Sequence, residues 1–134
     1  MPELILQDDL MCFVCGKNNP CGLKLNFVLD RDRILKTEFT FAKIHQGFKD
    51  IVHGGLLGLI LDEVMVNLLW KLNIKAISGE FTVRLKKPCF VGKRLKFSGW
   101  IEKEDNRIVY TKASAQDEEG LIYAQAQAKC VKIK

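Results

Sequence analysis

The sequence predicts an α+β fold in which one long central helix is wrapped by a curved antiparallel sheet of about six strands. Three observations lead there. From Leu56 to Leu72 the apolar residues fall on nearly every side of a helix, and a helix apolar all round is buried. Strand-like alternation occurs twice before this stretch and four times after it, without the βαβ repeats that a doubly wound parallel sheet needs. The last of these runs sets small residues, Ala124, Ala126, Ala128 and Cys130, against polar Gln125, Gln127 and Lys129. A row of small side chains lets a sheet approach a helix closely.

Taken in order, residues 2 to 11 mix apolar and acidic positions and predict a short amphipathic N-terminal helix. The segment from Cys15 to Leu23 is dense in Gly, Asn and Pro, which predicts a turn-rich loop. Leu23 to Leu29 and Leu35 to Phe41 alternate as two half-buried strands, joined as a hairpin across Asp30 to Arg33. Residues from Ala42 to Val52 have no clean period and read as a loop that brings His45, Gln46, Gly47 and His53 to the head of the helix. Four strands follow: Ala76 to Leu85, Leu95 to Ile101, Ile108 to Ala115, and Leu121 to Val131. One helix covers one face of such a sheet, and its exposed edges are most simply dealt with by edge-to-edge dimerisation.

The totals restrict the function. A chain of 134 residues fits one domain, 1–134, with 1–22 as an extension and cysteine-containing loop, and it buries enough surface to need no disulfide or metal staple. The formal net charge of +5 comes from 21 basic residues spread along the chain, which favours a small anionic ligand over nucleic acid. The N-terminus lacks the basic start of a secretory signal, so a cytoplasmic protein is expected. The apolar run is too short for a membrane span and has two acids near its middle. Five cysteines, an odd number, argue for free thiols. Cys12 and Cys15, with Cys21 beyond, resemble half of a zinc site, but a fourth ligand would have to come from Cys89, Cys130 or a distant histidine. No metal or cofactor is expected.

Chemistry is suggested first by Asp62 and Glu63, because carboxylates in an apolar helix are rarely left unused. The second candidate is the helix head. The backbone N–H groups of Gly54 and Gly55, just after His53, lack helical acceptors and lie at the positive end of the dipole, where developing negative charge on an acyl oxygen is favoured. Gly54 and Asp62 are eight residues apart, roughly 12 Å along a helix, too far to act on one carbonyl. Two such helices running antiparallel across a two-fold axis bring the head of one beside the carboxylate of the other. The carboxylate then acts as general base or as nucleophile. Ser78 could hold the attacking water or the carboxylate, although strict alternation puts it on the face shared with Glu80, Thr82 and Arg84. Arg84 and Lys86 at one face of a strand end, with Lys87 at the turn, are candidates for gripping phosphates.

These residues together resemble the hotdog-fold acyl-CoA thioesterases, in their PaaI-like arm. The resemblance rests on His53-Gly-Gly followed by Asp62 and Glu63 on an apolar helix, and on the later run Phe81-x-Val-Arg-x-x-x-Pro88. The motifs Cys12-Phe-Val-Cys-Gly-x-x-Asn-Pro-x-Gly-Leu23 and His45-Gln-Gly-x-x-x-x-Val-His-Gly-Gly55 are similar to a subgroup of that arm, and the match spans about residues 12 to 131. The resemblance implies a helix wrapped in a sheet, an acyl-CoA substrate, no cofactor, and a homodimer or a homotetramer of two dimers. It implies Asp62 as the catalytic carboxylate, Gly54 as the backbone donor to the thioester carbonyl, His53 as the support of that donor loop, and Ser78 as the residue that positions the nucleophile. Gly55, Gln46, Arg84, Lys86 and Lys87 are expected on the substrate. At one position the chain departs from the pattern. Relatives commonly carry Asn or Gln six residues before the histidine, whereas here that residue is Gly47 and Gln46 lies one earlier. Either Gln46 reaches in, or the contact is missing. Glu63, some 100° around the helix from Asp62, is expected to be structural.

Overall fold

The apolar run forms the helix, and the sheet closes around it. The computed structural model describes residues 4–133. Helix α1 spans Gly54–Lys71, with Leu57, Ile60, Leu61, Val64, Met65, Leu68 and Leu69 among its buried residues. Each such side chain contributes about 1.5–3 kcal/mol through removal from water. His53 caps the start of the helix: its Nδ1 accepts the Gly55 N–H at 3.0 Å. The end closes on Asn73, which takes a positive φ of 59°. The Ile74 N–H donates to the Leu69 carbonyl and the Asn73 N–H to the Trp70 carbonyl, satisfying two of the last turn's carbonyls.

The strands are β1 (Val28–Leu29), β2 (Leu35–Thr40), β3 (Ala76–Leu85), β4 (Arg94–Glu104), β5 (Ile108–Gln116) and β6 (Ile122–Lys132). All pairings are antiparallel, in the order β1-β2-β4-β5-β6-β3. The predicted small row is at the interface with the helix: Ala124, Ala126, Ala128 and Cys130 are all buried. The sheet also comes close on β4, where a Cβ built on Gly99 would fall 2.4 Å from Val64 Cγ1 of α1. The sheet therefore curves onto the helix as the sequence predicts.

Three local expectations change. No helix forms over residues 4–11; the remainder of that predicted helix lies outside the described residues. Asp8 Oδ1 accepts the Leu10 N–H and Asp9 Oδ1 the Met11 N–H, so these short acids bind their own backbone and compete with helical turns. The first strand is confined to Val28–Leu29, because residues 23–27 serve the cysteine loop: the Leu23 N–H bonds to the Phe13 carbonyl and the Leu25 N–H to the Val14 carbonyl. The third change is in β3. Ser78 pairs with Cys130, but Glu80 pairs with Lys129, so one extra residue is taken up at Gly79. This bulge reverses the phase of the strand. Ser78 consequently shares the helix-facing side with Phe81, Val83 and Leu85, and Glu80, Thr82 and Arg84 take the outer face.

Candidate active site

The reversed phase brings Ser78 and Asp62 together. Ser78 Oγ donates to Asp62 Oδ1 at 3.1 Å, from β3 to the second half of α1. Asp62 is half-buried, and burial raises its pKa above the ordinary carboxylate range while the Ser78 hydrogen bond opposes the rise. Beneath Ser78, the Cys130 thiol is also held up by burial. The pair lies along the sheet's edge strand. There α1 covers the inner face of β3 incompletely, leaving Phe81 40% and Leu85 54% exposed.

A separate cavity of about 570 Å³ opens at the helix head. Its walls include Gly47, His53, Gly54, Leu85, Lys86 and Lys87. The Gly55 N–H is taken by His53, and the Leu56 N–H donates to the His53 carbonyl. Among the described residues the Gly54 N–H has no protein acceptor, which leaves it free to donate at the positive end of α1. Opposite His53, a Cβ on Gly47 would stand 3.4 Å from the His53 Cα, so position 47 does face the helix head. Gln46 does not reach the head: its Oε1 accepts the Asp50 N–H at 3.0 Å, within its own loop.

The basic residues divide. Lys86 and Lys87 both anchor their backbone N–H groups on the Tyr123 carbonyl and line the head cavity, and Lys87 Nζ lies 5.2 Å from the centre of the Tyr123 ring. Arg84 lines a groove on the outer face with Trp100 and Lys112 and takes no part in the head cavity, contrary to the expectation that it shares a face with Lys86. Asp62 does not line the head cavity either. Within one chain the donor and the carboxylate remain apart, as their spacing along the helix requires.

On the other side of α1 is a cluster that the sequence shows only in part. Cys12 and Cys15 meet Glu63. Cys21 is exposed and, like the buried Cys89 and Cys130, lies outside the cluster. The motif is legible in sequence, but its partner on the helix is not, because Glu63 stands 51 positions from Cys12.

No family profile matches the chain, and no curated protein matches it. Solved structures do. A thioesterase superfamily protein designated RHA08564 superposes with a TM-score of 0.82 at 20% identity over 87% of this chain, which spans 60% of that protein's length. The Escherichia coli PaaI protein of the phenylacetic acid degradation operon gives 0.76 at 14% identity, over 82% of this chain and 84% of that one. A hypothetical thioesterase of Streptococcus pneumoniae TIGR4, solved with coenzyme A, gives 0.75 at 13%, over 81% and 84%. The architecture is thus the hotdog fold of thioesterase-superfamily proteins. Within it, PaaI-type structures are among the neighbours. Among the described residues no helix is long and apolar enough to cross a membrane.

Proposed function

We propose that the chain is an acyl-CoA thioesterase working as a homodimer, with each site built from the helix head of one protomer and Asp62 of its partner. The observation that carries this reading is the Ser78–Asp62 hydrogen bond at a carboxyl whose pKa is raised, on a hotdog fold. A further observation supports it. Two other structures of the Streptococcus pneumoniae protein carry alanine in place of a threonine and of an aspartate, and those two positions are sixteen apart, like Ser78 and Asp62. The unpaired edge of β3, ten residues long, offers a second copy a hydrogen-bonding surface of roughly 33 Å.

The reaction follows from the groups present. The Gly54 N–H donates to the thioester carbonyl oxygen and stabilises the negative charge that develops there. As base, Asp62 takes a proton from water as the oxygen bonds to the acyl carbon. The tetrahedral adduct then collapses, the C–S bond breaks, and the proton passes to the departing CoA sulfur. As nucleophile, Asp62 itself bonds to the acyl carbon, CoA leaves, and water cleaves the resulting anhydride. A carboxyl with a raised pKa is the better proton acceptor, which favours the base route. Ser78 orients the carboxylate. Lys86 and Lys87 meet the CoA phosphates, and Arg84, on the outer face, is left out of the site.

A second reading, a non-catalytic acyl-CoA or lipid-binding module, is favoured by Gly47 and by the turn of Gln46 into its own loop, which leave the helix head without a side-chain amide. One assay separates the two. The protein is incubated with short, medium, long and aromatic acyl-CoAs, and thiol release is followed. Turnover that falls by about 10²–10⁴ in Asp62→Ala is expected for the thioesterase. Saturable binding without release, or release indifferent to Asp62→Ala, defeats it.

A further inference from the structure

On the side of α1 away from Ser78, the residues from Cys12 to Gly16 form a tight knuckle. The Gly16 N–H donates to the Cys12 carbonyl at 2.8 Å, and a Cβ on Gly16 would fall 2.4–2.6 Å from backbone atoms of Cys12 and Leu10, so only glycine fits the turn. The knuckle aims both thiols at one atom. Cys12 Sγ lies 3.6 Å and Cys15 Sγ 3.5 Å from Glu63 Oε1, and the three ligating atoms all lie within 4.8 Å of one another. With Zn–S near 2.3 Å and Zn–O near 2.0 Å, a tetrahedral angle separates sulfur from oxygen by about 3.5 Å. The observed separations therefore match two edges of a zinc tetrahedron.

The surroundings also suit a cation. Among the described residues Glu63 has no salt bridge, although it is half-buried, and its only donors are two weakly donating thiols. Two N–H groups point at the sulfurs: the Val14 backbone N–H to Cys12 Sγ at 3.4 Å, and Asn67 Nδ2 to Cys15 Sγ at 3.7 Å. Donors placed in this way stabilise thiolates and orient metal ligands. Asn67 lies one helical turn beyond Glu63, and its Oδ1 is buried without a partner. A cavity of about 360 Å³, walled by residues 5–8, Val66 and Trp70, adjoins the cluster and supplies an entry path.

We propose that Cys12, Cys15 and Glu63 form a zinc(II) site that clamps the N-terminal loop to α1, with a water as fourth ligand donating to Asn67 Oδ1. Two thiolates and a carboxylate form a mixed soft and hard donor set of the kind zinc accepts. Cysteine binds zinc as thiolate, so uptake of the ion releases the thiol protons. The site stands apart from the hydrolytic chemistry and does not depend on it.

The full chain, purified without a tag under reducing conditions, tests this. After stripping with a chelator, zinc is titrated against a chromophoric competitor, and cobalt(II) is used as a spectroscopic stand-in. One zinc per chain, proton release on loading, and a cobalt spectrum with thiolate charge-transfer bands and intense tetrahedral bands are expected. Asn67→Ala weakens zinc by about 10–100-fold, and Glu63→Gln, which removes a ligand while keeping its shape, weakens it further. Should Cys12→Ser/Cys15→Ser fail to fold, Glu63→Gln alone decides. Zinc held no more tightly by the parent chain than by Glu63→Gln overturns the site. A weak octahedral cobalt spectrum without charge-transfer bands, or a Cys12–Cys15 disulfide that persists in reductant, does so too.

Discussion

Asp62 and Glu63 leave α1 about 100° apart, and the two sides of the helix they reach are built differently. Asp62 meets a single strand residue, Ser78, at an incompletely covered sheet edge where a second molecule can approach. Glu63 meets an irregular loop, whose knuckle brings two sulfurs to one of its oxygens within the same chain, while N–H groups of Val14 and Asn67 donate to those sulfurs. The first acid is left open to an outside partner and the second is closed in by its own sequence. Adjacent acids on one helix thus acquire separate surroundings from what packs against them.

The largest expected effect breaks the comparison if it fails. Asp62→Ala should lower CoA release by about 10²–10⁴ and keep the cobalt spectrum, whereas Glu63→Gln should lose the spectrum. One substitution that abolished both signals would mean the two sides act as a unit. Ser78→Ala comes next. Loss of a hydrogen bond to a charged group, about 1.5 kcal/mol, corresponds to roughly ten-fold in kcat/KM. Because that bond opposes the effect of burial on Asp62, its removal should also move the acid limb of the pH profile upward. In the parent protein that limb should already lie above the ordinary aspartate value of about 4.

The same shift bears on stability. The folded state holds the Asp62 proton more tightly than the unfolded chain does, so the group's contribution is fully present below the unfolded pKa and is lost as pH rises through the folded one. Asp62→Asn should therefore flatten the fall in Tm with pH over that window. The smallest effects come from the helix–sheet contact that holds both sides in place. Gly99→Ala, which forces a Cβ to 2.4 Å from Val64, should cost about 1–3 kcal/mol. Gly58→Ala, whose Cβ would meet Val83 at 3.4 Å, should be neutral or stabilising through helix propensity of up to about 1 kcal/mol. Thermal melts of the two variants check the contrast.

Much of this was legible from periodicity. The helix, the four later strands and the small row on β6 follow from patterns of 3.6 and 2, and burial then enforces them. Asp62, His53 and Gly54 stand out as candidates because charge in an apolar helix and glycines at its head are local signals. What escaped the sequence was non-local or out of phase. Gln46 bonds within its own loop, and nothing in composition reveals that choice. Glu63 and Asn67, at helical spacing on one face, hint at a shared partner, but only the fold names it as the cysteine knuckle. Strict alternation puts Ser78 on the wrong face, although a lone glycine beside it in a strand is a sign of a bulge.

That bulge at Gly79 has a genetic consequence. A strand counts in twos, so one residue more or less exchanges everything on one side of the change between the two faces of the sheet. Because the pairing from Glu80 onward is secured by most of β6, deletion of the Gly79 codon would turn Ser78 outward and leave Asp62 without its hydroxyl. Loss of the partnership thus lies one in-frame deletion away, with every residue of the Asp62–Ser78 pair still present in the gene.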